Sequence, residues 1–141
     1  MKIDKGNFNV EIHGDNTNFT AEVKCTYDDD IETCSINLSF LDKNLVSSGS
    51  DFFQTFEGIR EQLKALGFAP YCYGSSIGVL PSRMARQSSK KGLISYRHYL
   101  GEKVDRENMV HIFDSEENLK IVDVAEQNIY MENWMNSLKD E

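Results

Sequence analysis

The chain has 141 residues, 40% of them hydrophobic and 27% charged, with a formal charge of −8 at pH 7. That length and balance suit a single globular domain, one that buries roughly two thirds of the surface its unfolded chain exposes, and they exclude an intrinsically disordered class. No apolar run approaches the ~20 residues that span a bilayer. The start, Met1 to Asn7, lacks the apolar stretch of a secretory signal, so no membrane partner and a cytoplasmic location are expected.

In chain order, Phe8, Val10 and Ile12 alternate with Asn7, Asn9, Glu11 and His13, the period of two of a half-buried strand. Gly14-Asp15-Asn16-Thr17 is turn chemistry. A reversal between Asp15 and Asn16 sets Ile12 opposite Phe19, Val10 opposite Ala21 and Phe8 opposite Val23. The next run alternates Phe19, Ala21, Val23, Cys25 and Tyr27 with polar residues, and a third alternates Cys34, Ile36, Leu38 and Phe40 in the same way. Centring their reversal between Asp29 and Asp30, with a two-residue or a four-residue loop, predicts Phe19 facing Phe40, Val23 facing Ile36 and Cys25 facing Cys34. A three-stranded antiparallel meander with one apolar face follows.

Residues 41–50 read as a loop, and Ser50 or Asp51 is placed to cap a helix. Phe52, Phe56, Ile59, Leu63 and Leu66 recur at helical spacing, and Gly67 is the stop. This helix is the natural cover for the meander, which makes the fold class α+β in two layers, a single domain over 1–141. Two extended pieces, 68–73 and 77–80, are predicted to form a hairpin across Gly74-Ser75-Ser76. Further strands are expected at 93–100 and 109–113. Asp123 and Glu126 have the spacing of a capping box, opening a C-terminal helix whose stripe is Val124, Met131, Trp134, Met135 and Leu138.

Charge is unevenly distributed. Residues 82–106 hold Arg83, Arg86, Lys90, Lys91, Arg97, Lys103 and Arg106 against Glu102 and Asp105, so one segment is basic in an acidic chain. Acids crowd elsewhere, at Asp28, Asp29, Asp30 and Glu32 and again at Asp114, Glu116 and Glu117. Such clusters suit a protein partner with a basic surface, because opposed charges speed encounter and suppress wrong partners. The Asp-Asp-Asp run lacks the alternate spacing and glycine of a calcium loop, so no metal is assigned and no cofactor is expected. Overall acidity argues against nucleic acid, since phosphate would be repelled by most of the surface.

A second candidate site is anionic in its ligand: Arg83 and Arg86 offer forked donors, and the turn at Gly74 and Ser75 offers backbone amides. Three cysteines, Cys25, Cys34 and Cys72, lack zinc spacing and are odd in number, so they read as thiols. Cys72 and Ser75 with His98 or His111 would make a thiol enzyme only if a base came within hydrogen-bond reach, and no catalytic residue is assigned.

The residues Cys72, Gly74, Pro81, Ser82, Met84, Arg86 and Tyr96, with Val110-His111-Ile112-Phe113-Asp114, resemble a group of small uncharacterised bacterial proteins over roughly a third of the chain. Tyr73 and Arg83 stand where that group is expected to have Asn and Gly, and the resemblance implies no established activity. In size and charge the chain also resembles bacterial immunity proteins, including those of contact-dependent growth inhibition, which neutralise basic nuclease toxins. The expected function is therefore an immunity-type, antitoxin role: binding and neutralising a basic toxin domain by protein–protein contact, without catalysis. The alternative is a small-ligand or phosphate-binding protein, in one version an enzyme, built on the Gly74 turn, Arg83 and Arg86.

Overall fold

A computed structural model describes residues 1–139. Strands β1 (Lys2–His13), β2 (Asn18–Asp28) and β3 (Thr33–Phe40) form the expected meander. The β1–β2 pairing is as predicted, with Phe8 opposite Val23, Val10 opposite Ala21 and Ile12 opposite Phe19. The β2–β3 register differs: Val23 faces Leu38, Cys25 faces Ile36 and Tyr27 faces Cys34. The loop is Asp29–Glu32, centred between Asp30 and Ile31. It is closed by the Asp30 N–H donating to Asp28 Oδ1 at 3.0 Å and by Glu32 at φ +50°. A two-residue shift keeps every side chain on its face, so alternation alone does not distinguish the two registers.

Most of residues 41–50, read from the sequence as a loop, is a strand. A turn at Leu41 and Asp42 leads into β4 (Lys43–Gly49), which pairs with β3. This strand carries few apolar residues and so shows no alternation, and packing explains why. Helix α1 (Phe52–Ala65) crosses so closely that a Cβ on Gly58 would come within 2.2 Å of Ser47 Oγ. Small residues at the contact are what let the helix sit there.

Asp51 caps α1 by accepting the Gln54 N–H at 2.8 Å. Phe52, Phe53, Phe56, Ile59 and Leu63 are buried against β1, β2 and β3, each burial contributing about 1.5–3 kcal/mol relative to exposure. Leu66, expected on the stripe, is the C-cap and is exposed. Gly67, at φ +87°, ends the helix with the Phe68 N–H on the Leu63 carbonyl.

The expected hairpin at Gly74 is not formed, because its two arms join different sheets. Strand β5 (Ala69–Tyr71) pairs with β1 and completes a five-stranded sheet of order β4-β3-β2-β1-β5. Residues Tyr73–Ser75 make a single 3-10 turn. Strand β6 (Val79–Leu80) then joins β7 (Ile94–Arg97) and β8 (Met109–His111) in a second, three-stranded antiparallel sheet. A short helix α2 (Arg83–Gln87), capped by Ser82, stands between β6 and β7.

Helix α3 (Val124–Ser137) is capped by Asp123, as predicted from its spacing. Its buried residues are Gln127 and Met131, whereas Met135 is exposed. Among the described residues no helix is long and apolar enough to cross a membrane.

Candidate binding surfaces

The β2–β3 tip gathers its acids as the sequence suggested. Asp28, Asp29 and Asp30 place carboxylate oxygens within 4.8 Å of one another. The cation among them is the Met1 ammonium, 2.9 Å from Asp29 and 3.7 Å from Asp28 and also bonded to Asp30. Asp30, Ile31 and Glu32 are exposed, Ile31 to 67%. The corrected register puts this isoleucine at the crest of the acidic loop.

Asp114, Glu116 and Glu117 lie elsewhere. Glu116 accepts the Tyr73 hydroxyl at 2.8 Å and pairs with Arg97, whose guanidinium also lies over the Tyr73 ring. Its own carbonyl accepts the Tyr71 hydroxyl at 2.8 Å. Tyr71 pairs with Glu11, whereas Asp28 pairs with Lys2 at the far end of β1. Those two positions are roughly 30 Å apart along the strand, so the acidic groups form two separate patches, and Glu116 is already neutralised.

The four groups of the supposed anion site are not assembled around one point. Gly74 and Ser75 are buried, and their N–H groups donate to the Ile112 and Cys72 carbonyls. Gly74 must be small, because a Cβ there would lie 3.0 Å from the Phe56 ring. Arg86 is committed inward. Its Nη1 lies 3.2 and 3.1 Å from the two oxygens of Asp51, itself only 6% exposed, and its guanidinium stacks over Phe53. The carboxylate that caps α1 thus also anchors α2. Arg83 alone of the four is exposed.

The thiols are core groups. Cys25, Cys34 and Cys72 are all free and buried. Burial pushes the Cys25 thiol up to about 12 and the Cys34 and Cys72 thiols up to about 11. The hydroxyl of Ser75, 3.9 Å from Cys72 Sγ, is its side-chain hydrogen-bonding neighbour. Because only the thiolate is nucleophilic, the native protein at pH 8 is expected to react with a disulfide thiol reagent at least ~100-fold more slowly than free cysteine. All three cysteines should react at once in denaturant. Fast labelling of one native thiol would contradict this placement.

Two features were missed at the level of sequence. The first is a polar centre inside the core. Arg60 is 4% exposed and has no carboxylate partner among the described residues; it donates to Gln127 Oε1 at 2.7 Å and to the Val122 carbonyl at 2.9 Å. The Gln127 amide in turn donates to the carbonyls of Ser76 and Val79 at 3.0 and 3.1 Å. Burial lowers the Arg60 pKa, yet a guanidinium stays charged. One clue was available: Arg60 falls at the spacing of Phe53, Phe56 and Leu63, a charge inside an apolar stripe.

The second is a groove of about 700 Å³ over the face of the small sheet. Alternation along β7 turns Ile94, Tyr96 and, just beyond it, His98 towards the groove, while Ser95 is buried. Residues of α2 and its flanks contribute Arg83, Met84 and Lys90, the segment before β8 contributes Val104 and Arg106, and the first residue of β8 contributes Met109. Among the described residues no Asp or Glu lines it. The clue here was the basic segment itself, whose partial folding over an apolar strand the charge count does not reveal. No protein-family model matches the sequence, and no curated protein is significantly similar to it.

Proposed function

We propose that this protein is a binding module of the immunity type, which blocks a basic toxin domain by protein–protein contact at the β2–β3 tip. The observation that supports this is Ile31, exposed to 67% on the loop that also carries Asp29, Asp30 and Glu32, next to Asp28. An apolar anchor surrounded by like charges is the arrangement in which the anchor supplies affinity and the charges supply rate and selectivity. Beside the tip, the uncovered face of the large sheet forms a shallow concavity of about 470 Å³, lined by Thr26, Thr33, Ser35 and Ser48 and also by Lys2 and Lys24. A partner seated on the tip would also find hydrogen-bonding groups there.

Affinity capture from extracts of the source cell at low ionic strength tests the reading. A basic protein should be retained by the native chain. The triple substitution Asp29→Lys, Asp30→Lys, Glu32→Lys should lower its association rate at least ~10-fold at low salt and flatten the salt dependence. Ile31→Ala should act mainly on dissociation. Asp28 is left in place because it closes the loop. Failure to retain any basic protein, or equal binding by the charge-reversed variant, would remove the support for this reading.

A further inference from the structure

The groove over β7 is opposite in character to the tip, and its chemistry is specific. It brings Arg83, Lys90 and Arg106 from three places in the chain to the margins of an apolar floor. None of the three side chains makes an ion pair or hydrogen bond among the described residues, whereas Arg86 and Arg97 in the same basic segment are paired with Asp51 and Glu116. Unpaired cations with no carboxylate among the described residues that line the groove leave a local positive field in an otherwise acidic molecule. Beside them Met84 is 75% exposed and Met109 57%, flexible thioethers of the kind that adapt to varied apolar side chains.

From Ile94 to His98 the floor runs about 13 Å along the strand, the length of four to five residues of extended peptide. We infer that this groove takes an acidic segment of another protein, bound in extended form. Apolar side chains of that segment lie on Ile94, Tyr96 and the two methionines, and its carboxylates lie towards Arg83, Lys90 and Arg106. Three features favour a peptide over a compact anion. The cations come from separate segments, the floor is apolar, and that floor is as long as several residues of extended chain. A nucleic acid, which extends beyond the groove, would meet the surrounding surface of a chain of formal charge −8, whereas a segment of about four to five residues would stay within the basic groove.

Selection of random 12-residue peptides on the full-length protein tests the inference, followed by anisotropy titration with a labelled selected peptide. Enriched sequences should carry two or more Asp or Glu interleaved with Leu, Phe or Met. The double substitution Arg83→Glu, Arg106→Glu should weaken the selected peptide at least 10-fold, and Met84→Ser should weaken it several-fold. Both alter exposed side chains, and an unchanged melting temperature would show that the fold is intact. Inorganic phosphate and a single-stranded oligonucleotide serve as competitors and should displace the peptide poorly. The inference is overturned if no peptides are enriched, if those enriched are not acidic, or if the double variant binds them as well as the native chain. Stronger binding of phosphate or the oligonucleotide at this groove would overturn it too. Asp29→Lys, Asp30→Lys is the control that separates this site from the tip, and it should leave peptide binding unchanged.

Discussion

Replacing Gln127 by leucine is expected to lower the stability of the protein by about 3–5 kcal/mol, the loss typical of stranding one member of a buried polar pair that involves a charge. The melting temperature should fall by roughly 10 °C. Gln127 supplies the 2.7 Å acceptor for Arg60, and its amide ties the carbonyls of Ser76 and Val79 to α3. Without it the guanidinium keeps only the Val122 carbonyl among its observed partners, in a site where it is 4% exposed. Arg60→Met alone should be milder, leaving an unpaired amide oxygen rather than an unpaired charge, about 1–3 kcal/mol. The double substitution Arg60→Met, Gln127→Leu should recover much of the loss, because no charge is then buried. Urea denaturation of the four proteins closes the cycle. Strict additivity would mean that the two side chains do not act as a unit.

Phe56→Ala should remove a comparable amount, about 3–5 kcal/mol, through lost transfer energy and an incompletely collapsed cavity. Phe56 lies where α1 meets both the 3-10 turn and the end of the second sheet. Its ring meets Phe113 edge-on at 5.0 Å, and it stands against the flat side of Gly74. The expected signature is regional: hydrogen-exchange protection should drop first at 72–76 and 110–114, and less in the first β-hairpin. Gly74→Ala is the converse experiment. Its methyl group would be squeezed between Phe56 at 3.0 Å and Ile112 at 3.2 Å, so it should destabilise alone and be tolerated better in combination with Phe56→Leu. If Phe56→Ala instead loosened the whole chain evenly, the turn would not depend on this residue.

The same contacts bear on function. The tip and the groove share no residue and are opposite in charge. Arg86, which seemed free to hold an anion, instead stacks on Phe53 and binds Asp51. That pairing ties α2, and with it the wall of the groove, to the start of α1. Glu116 is similarly withdrawn from the acidic set by Arg97 and Tyr73. What counts as available charge is therefore decided by which ions find partners inside the fold.

Strand alternation, the first hairpin register, a cap at Ser50 or Asp51, the cap at Asp123 and the stop at Gly67 were all readable in the amino-acid order. Each depends on residues only a few positions apart, where a pleat or a helical turn dictates the neighbour. The loop at Asp29–Glu32, the β4 strand hidden in Ser-rich sequence, the parting of the chain at Gly74 and the Arg60–Gln127 bond were decided only in three dimensions. Shifting β2 against β3 by two residues leaves every face unchanged, so that choice falls to the turn. Ser47 is acceptable in a strand because Gly58 of the helix above it has no side chain. Arg60 reaches a partner 67 residues away, and the groove comes from segments before, within and after β7, so neither shows as a local pattern. Local periodicity selects faces; long-range packing decides which groups remain on them for a partner.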